Sequence, residues 1–154
     1  MVMSERLTPR KLKAFLGKEI GTSEWSSITQ ERIDAFAGCT EDRQWIHVDR
    51  ERAAQGPLGG TVAQGFLLLS LLPHFLQTNE LFQMKFKMVL NYGLDRVRFI
   101  NPVRPGDRIR NRAVLREIKR KGFRRVLIKI EITMEIEGRD EPAMVAELLA
   151  YFVL

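Results

Sequence analysis

The sequence predicts an α+β protein in which a long, curved antiparallel β-sheet wraps around one central apolar α-helix. Four segments of the second half have the period-2 pattern of strands. The segment VAQGFLLLSLL, which starts at Val62, lacks a polar stripe, so a helix formed from it must be enclosed on all sides. The 154 residues suffice for one domain, residues 1–154, and 45% hydrophobic with 29% charged residues is a globular composition.

The strand pattern is clearest in residues 125–136, where every even-numbered residue is apolar and most odd-numbered ones are polar. The other predicted strands cover residues 94–100, 107–118 and 143–154. They are separated by a loop with two prolines at 101–106 and by turns at 121–122 and 137–142. We therefore expect neighbouring strands to pair antiparallel. The outer face of the last strand is also apolar, so another layer or a partner chain is expected to cover it.

The first half of the chain predicts helices and irregular segments. Ser27 and Gln30 have the spacing of a capping box before a helix over residues 29–37, which would end at Gly38. An aspartate at the start of 49–54 can cap a second, short helix.

Composition also limits the location of the protein. The N-terminal stretch is charged and lacks the apolar core of a signal peptide, and the most apolar run, 65–76, is too short to cross a bilayer. Cys39 is the only cysteine, which excludes an intrachain disulfide and fits a reducing compartment. We predict a cytoplasmic protein without membrane contact, and a Cys39 buried as a small hydrophobe at a helix end.

The formal net charge is +6, and basic residues are densest from Arg104 to Arg125. Such a stretch fits the solvated faces of long strands, or the phosphates of a nucleic acid or a small ligand. It lacks the interleaved aromatic residues on which bases would stack, so we expect no nucleic-acid partner.

The stretch TEDRQWIHVD places an acid and a histidine, Asp42 and His47, on either side of Trp45 and Ile46. It is either a solvated turn with two ionisable groups or a catalytic pair held against an apolar wall. Further along the chain, Gly65 opens the apolar helix. Backbone N–H groups in the first turn of a helix have no partner within it and can polarise a carbonyl oxygen.

Three motifs in this order resemble a known family: Asp42-x4-His47, then Ala63-Gln64-Gly65, then NYGLDRVRFINPVRPGD at 91–107. They are similar to the MaoC-like, R-specific enoyl-CoA hydratases of the hot-dog fold, especially their single-domain, NodN-like branch. The resemblance implies reversible syn hydration of a trans-2-enoyl-CoA to an (R)-3-hydroxyacyl-CoA. It also implies a homodimer, an acyl-CoA substrate, and no metal or other cofactor.

The same resemblance assigns roles to residues. Asp42 and His47 match the pair that holds and activates one water, and the N–H of Gly65 matches the donor to the thioester oxygen. Gln64 is assigned with Gly65 to binding the thioester oxygen and the substrate; it stands where many relatives have histidine, and it can still donate and accept hydrogen bonds. Asn91 is a weaker candidate for the pocket wall or for holding the water, and otherwise satisfies a loop.

Contacts with the rest of the substrate are less specific. Arg98, Arg104 and Lys121 are examples of residues that could meet the coenzyme A phosphates. Acyl-chain length is expected to depend on Leu67, Leu68, Phe82, Phe86 and Met88.

Two other functions stay open on the sequence alone. A hot-dog thioesterase would use a carboxylate to activate water against the thioester carbonyl, although the Asp-x4-His pair favours hydration. A non-catalytic acyl-CoA-binding accessory protein would need neither residue of the pair.

Overall fold

The computed structural model describes residues 6–154, so residues 1–5 of the predicted domain lie outside the described part. The strands are β1 (Glu19–Thr22), β2 (Ser26–Ser27), β3 (Met88–Phe99), β4 (Arg108–Arg120), β5 (Arg125–Ile136) and β6 (Met144–Val153). The helices are α1 (Pro9–Ala14), α2 (Gln30–Thr40), α3 (Trp45–Val48), α4 (Arg50–Ala54), α5 (Gly65–Ser70), α6 (Leu72–Leu76) and α7 (Glu80–Gln83).

All six strands form one antiparallel sheet in the order β1-β4-β5-β6-β3, and β2 also pairs with β4. The predicted hairpins β4–β5 and β5–β6 are confirmed, and β5 has the predicted bounds. β3 begins six residues earlier than predicted and pairs with β6, far from it in sequence. As a result, β3 lies at one edge of the sheet.

The core lies between the sheet and the paired helices α5 and α6. Alternate residues of β5 are fully buried, as are Leu68 and Leu72 from the helices, and all belong to one apolar cluster. This confirms an antiparallel sheet packed on a central helical segment. On β6, the outward residues are half-buried, and Tyr151 packs edge-to-face on Tyr92 of the neighbouring strand.

The central helix differs from the prediction in two ways. It is divided at Leu71, because Pro73 lacks the N–H that would continue a single helix. It is also not enclosed on all sides within the chain, since the side chain of Phe66 is 66% exposed. No helix in residues 6–154 is both long and apolar enough to span a membrane.

The predicted capping box is wrong. Thr29 caps α2 by accepting a hydrogen bond from the N–H of Arg32 at 3.3 Å, while Ser27 lies in a strand. The helix continues past Gly38 to Thr40, because nothing at that glycine forces the chain out of helical conformation.

Two smaller predictions have opposite outcomes. Asp49 does cap α4, accepting from the N–H of Arg52 at 3.0 Å. Cys39, in contrast, is exposed, because it falls on the outer side of α2 rather than on the side of the buried Ile33 and Ala37.

Candidate active site

The acid and the histidine of the TEDRQWIHVD stretch come together in the structure. Glu41 adopts a left-handed conformation (φ 62°) that ends α2 and turns the chain, and α3 then returns the backbone toward Asp42. The Oδ2 atom of Asp42 lies 4.0 Å from Nε2 of His47. One water forming two hydrogen bonds of about 2.8 Å would bridge these atoms at an angle of about 90°.

The two members of this pair differ in exposure. The side chain of His47 is 8% exposed, whereas that of Asp42 is 48% exposed. The imidazole is therefore held within the protein, and the carboxylate borders on solvent. This arrangement gives the pair one fixed member and one accessible member.

The protonation of the neutral imidazole follows from its contact with the backbone. Nδ1 of His47 lies 2.7 Å from the carbonyl oxygen of Val62. A carbonyl oxygen only accepts, so Nδ1 carries the proton and donates it. In the neutral ring, Nε2 then has a free lone pair on the side of Asp42.

Trp45, which lies between the two members of the pair in sequence, is half-buried and packs against its own chain. The ring of Trp45 packs against Gly56, since a Cβ added at Gly56 would lie 3.0 Å from the indole. The guanidinium group of Arg52 lies over the ring of Trp45, 4.5 Å from a ring centroid. Trp45 thus acts in packing, as a residue that fixes α3 against α4.

Gly65 is the first residue of α5, and its N–H donates to no other group in the described chain. Phe99 of β3 lies directly against it, since a Cβ on Gly65 would be 2.9 Å from ring atoms of Phe99. Because α5 has only six residues, the N–H group itself, rather than a long helix dipole, is what this position offers.

Gln64 does not point away from the protein. It is 2% exposed, and its Nε2 donates to the carbonyl of Ile33 at 3.3 Å, which ties the start of α5 to α2. Its Oε1 is buried and has no partner among the described residues. The predicted role of Gln64 in binding the thioester oxygen stays a prediction.

A separate apolar cavity of about 520 Å³ lies between the paired helices and β3. Asn91 is in its wall, as one of the two predictions for this residue proposed, and Asp42 and His47 are not. The predicted chain-length residues are mostly elsewhere. Phe82 does line the cavity, but Leu67 and Leu68 face the core and Met88 is exposed.

The cavity is lined instead by neighbouring positions of the helices and by residues of β3 and β6. The lining residues that sequence reasoning missed are Leu69, Ser70, Leu72, Pro73, Leu76, Gln77, Val89, Gly93, Leu94, Leu148 and Ala150. The helix residues are distinguished only by the helical phase relative to the sheet, and the strand residues by the pairing of β3 with β6; the sequence gives neither.

The basic residues named as phosphate contacts do not converge. Arg104 donates to the carbonyl of Leu58 at 2.6 Å, beside the loop that precedes α5. Lys121 lies in the β4–β5 turn, at the end of the sheet opposite Arg98. The three residues therefore do not form one anion site within this chain.

Much of the remaining charge is paired on the outer face of the sheet. Arg116 bonds Glu131 at 2.8 Å, and Arg110 bonds Glu135 at 2.7 Å. The hydrogen bond from Arg116 lowers the pKa of the Glu131 carboxyl below its ordinary value. This supports the interpretation of the basic stretch as solvated strand faces.

Comparison with known proteins identifies the family and the fold. A family model described as a MaoC like domain matches residues 11–136. The chain belongs to the MaoC-like family. Its fold is the α+β hot-dog fold, since the monoamine oxidase regulatory protein of Archaeoglobus superposes with a TM-score of 0.79 at 26% identity, over 90% of each chain.

Two sequence relatives span most of the MaoC-like chain. The 3-hydroxyacyl-thioester dehydratase Z of Mycobacterium tuberculosis (strain H37Rv) is 43% identical over 92% of this chain and 93% of its own. Nodulation protein N of Rhizobium leguminosarum bv. viciae is 47% identical over 85% of this chain and 82% of its own. The predicted resemblance to NodN-like proteins is thereby confirmed.

Proposed function

We propose that the protein catalyses reversible syn hydration of a trans-2-enoyl-CoA to an (R)-3-hydroxyacyl-CoA. The observation that carries this proposal is the 4.0 Å separation of the Asp42 carboxylate and Nε2 of His47, with the proton of the neutral ring held on Nδ1 by Val62. Two acceptors at this distance can hold one water by both of its hydrogens.

The chemistry needs this arrangement. The water oxygen forms a bond to C3 of the enoyl thioester as one member of the pair takes its proton. The same proton then passes to C2, so one water supplies both the hydroxyl and the new hydrogen. Because both come from a water on one side of the double bond, the addition is syn. The reverse sequence dehydrates the 3-hydroxyacyl thioester, the activity that the mycobacterial relative's name describes.

The thioester oxygen gains negative charge as C3 is attacked, and we assign the N–H of Gly65 as its donor. Such a donor typically lowers the barrier by about 2.7–4 kcal/mol. Gly65 begins the helix whose next turn contributes Leu69 and Ser70 to the apolar cavity. We therefore propose that the acyl chain follows this helix into the cavity, with Asn91 in the wall.

We also propose that the active protein is a homodimer formed along β3. Within the described chain this strand pairs on one side only, and Leu90 and Tyr92 are at least half exposed on it. A long edge strand with apolar side chains is a template for another strand. A second copy of β3 would cover both the edge and these side chains.

The test uses Asp42→Asn and His47→Ala, with Asp140→Asn and His74→Ala as matched controls at exposed positions. Turnover is followed by the loss of the conjugated-enone absorbance of crotonyl-CoA, and the product is trapped by an R-specific or an S-specific 3-hydroxyacyl-CoA dehydrogenase. We expect each site variant to lose at least about a hundredfold in turnover. The melting temperature of each should stay close to that of the wild type.

Four results would contradict the proposal. Wild-type turnover in both site variants would contradict the mechanism in which Asp42 and His47 activate water. Trapping of the product only by the S-specific enzyme would show that the product is the S isomer. Release of free thiol from saturated acyl-CoA, without hydration of crotonyl-CoA or a longer enoyl-CoA, would instead indicate a thioesterase. Binding of acyl-CoA without either reaction would indicate an accessory protein.

A further inference from the structure

Gln30 connects three segments that surround the candidate site. It is the first residue of α2 and is 7% exposed. Its Nε2 donates to the carbonyl oxygen of His47 and to Oδ1 of Asp34, each at 2.8 Å. Its Oε1 accepts from the hydroxyl of Thr61 at 2.5 Å. Both amide hydrogens and the amide oxygen are therefore used.

The orientation of this amide follows from its partners. A backbone carbonyl and a carboxylate can only accept, so the amide nitrogen must face His47 and Asp34. A reversed amide would set its oxygen against both oxygens and lose both hydrogen bonds. The hydroxyl of Thr61 is the partner that can donate to the oxygen on the other side.

These bonds form a closed circuit around the imidazole. Gln30 bonds the carbonyl of His47 and the hydroxyl of Thr61. The residue after Thr61, Val62, accepts the hydrogen bond from Nδ1 of His47 at 2.7 Å through its carbonyl oxygen. The N–H of Val62 in turn donates to the carbonyl of Ile46 at 3.0 Å. The loop that carries His47 and the loop that fixes its ring are thus linked both directly and through Gln30.

We propose that Gln30 is a positioning residue that fixes the tautomer and orientation of His47, an inference that rests on the proposed function for its effect on turnover. Without Gln30, the carbonyl of His47 and the hydroxyl of Thr61 lose their buried partner. The two loops are then joined only by the direct bonds of Val62 to Ile46 and His47, so the hydrogen bond from Nδ1 to Val62 is held less firmly. Nε2 is freed for the water only while Nδ1 carries the proton.

The test replaces Gln30 with methionine, which preserves length and removes all three hydrogen bonds. Thr61→Val removes only the Thr61 arm, and Thr61→Ser restores its hydroxyl. Gln55→Met is the control, because Gln55 is exposed and its side chain makes no hydrogen bond in the described chain. Circular dichroism and thermal unfolding establish that each variant folds.

The readout independent of activity is the ring ¹⁵N spectrum of the two histidines. In the wild type we expect the neutral His47 ring to give the pattern of the Nδ1–H tautomer, with exposed His74 as an internal reference. In Gln30→Met the His47 nitrogens should move toward averaged values for both tautomers, and His74 should not change. Thr61→Val should move them less, and Thr61→Ser should restore them.

Turnover is the second readout. With crotonyl-CoA, Gln30→Met should lose up to about a hundredfold in kcat, since a misplaced catalytic group can cost this much. KM should change little, because Gln30 bonds the backbone of His47 and is not assigned a contact with the substrate. Gln55→Met should match the wild type.

An unchanged Nδ1–H pattern in folded Gln30→Met and Thr61→Val would overturn the inference. So would kcat within about twofold of the wild type in folded Gln30→Met, if the wild type is active. An inactive wild type would overturn the proposed function instead, and a tautomer change confined to His47 would still support the positioning role. If Gln30→Met does not fold, the two Thr61 variants decide by the same signal.

Discussion

Gly65→Ala tests the assignment of the thioester-oxygen donor most directly. The added methyl carbon would lie 2.9 Å from Cδ2 and Cγ of Phe99 and 3.0 Å from Cδ1. Carbon atoms prefer separations of about 3.5–4.0 Å, so the ring and the helix start must separate by roughly 0.5–1 Å. Rotating the ring about its own axis gives no relief, because Cγ lies on that axis.

Two costs follow from this displacement. Overpacking of this kind lowers the free energy of unfolding by about 1–3 kcal/mol. If the N–H of Gly65 moves away, the thioester oxygen loses its hydrogen-bond donor. Loss of such a donor typically lowers kcat by about 10²–10³-fold. We therefore expect Gly65→Ala to be both less stable and far less active with crotonyl-CoA.

A double-mutant cycle with Phe99→Ala separates the steric cause from others. Removing the ring gives the new methyl group space. The free energy of unfolding of the double variant, measured with urea, should therefore be about 1–3 kcal/mol higher than the sum of the two single changes predicts. Gly38→Ala is the matched control, because no atom lies within 4 Å of its added carbon and it lies inside α2, two residues before the helix ends. It should gain about 0.5–1 kcal/mol and keep its turnover. Wild-type turnover in Gly65→Ala, or strictly additive stabilities, would refute the reasoning.

Three further predictions concern the cavity, the sheet edge and the outer face. Ala150→Leu adds bulk to the cavity wall and should lower kcat/KM for octenoyl-CoA much more than for crotonyl-CoA; an unchanged ratio would remove the cavity from chain-length selection. Leu90→Lys places a charge on the exposed edge strand and should shift sedimentation from dimer toward monomer, whereas an identical sedimentation profile would argue against pairing along β3. Glu131→Gln should lower stability modestly at pH 7. Because the folded pKa of Glu131 is depressed, its contribution is present above its unfolded value of about 4.3 and is lost as pH falls through the folded pKa. The difference in free energy of unfolding between the wild type and Glu131→Gln, measured with urea, should be smaller at pH 3 than at pH 7. An equal difference at both pH values would contradict this prediction.

The sequence by itself determined the elements whose pattern is local. β5 was predicted with its observed bounds, because the pleat of a strand puts every second residue on one face wherever the strand is placed. The cap at Asp49 was predicted for the same kind of reason, since a cap bonds an N–H three residues away. The spacing of Asp42 and His47 was equally visible as a motif, within the resemblance to the MaoC-like family.

Only the tertiary structure decided what these residues contact. The pairing of β3 with β6 joins segments separated by two other strands and their turns, and no local period indicates it. The carbonyl of Val62, which sets the tautomer of His47, carries no sequence signal at all, because every residue has a carbonyl group. Gln30 gave a misleading signal, since its spacing from Ser27 fits a cap while its amide actually bonds His47 and Thr61. Local patterns reflect the geometry of a few consecutive residues, whereas a site depends on which distant backbone and side-chain groups the packed core brings within hydrogen-bond distance.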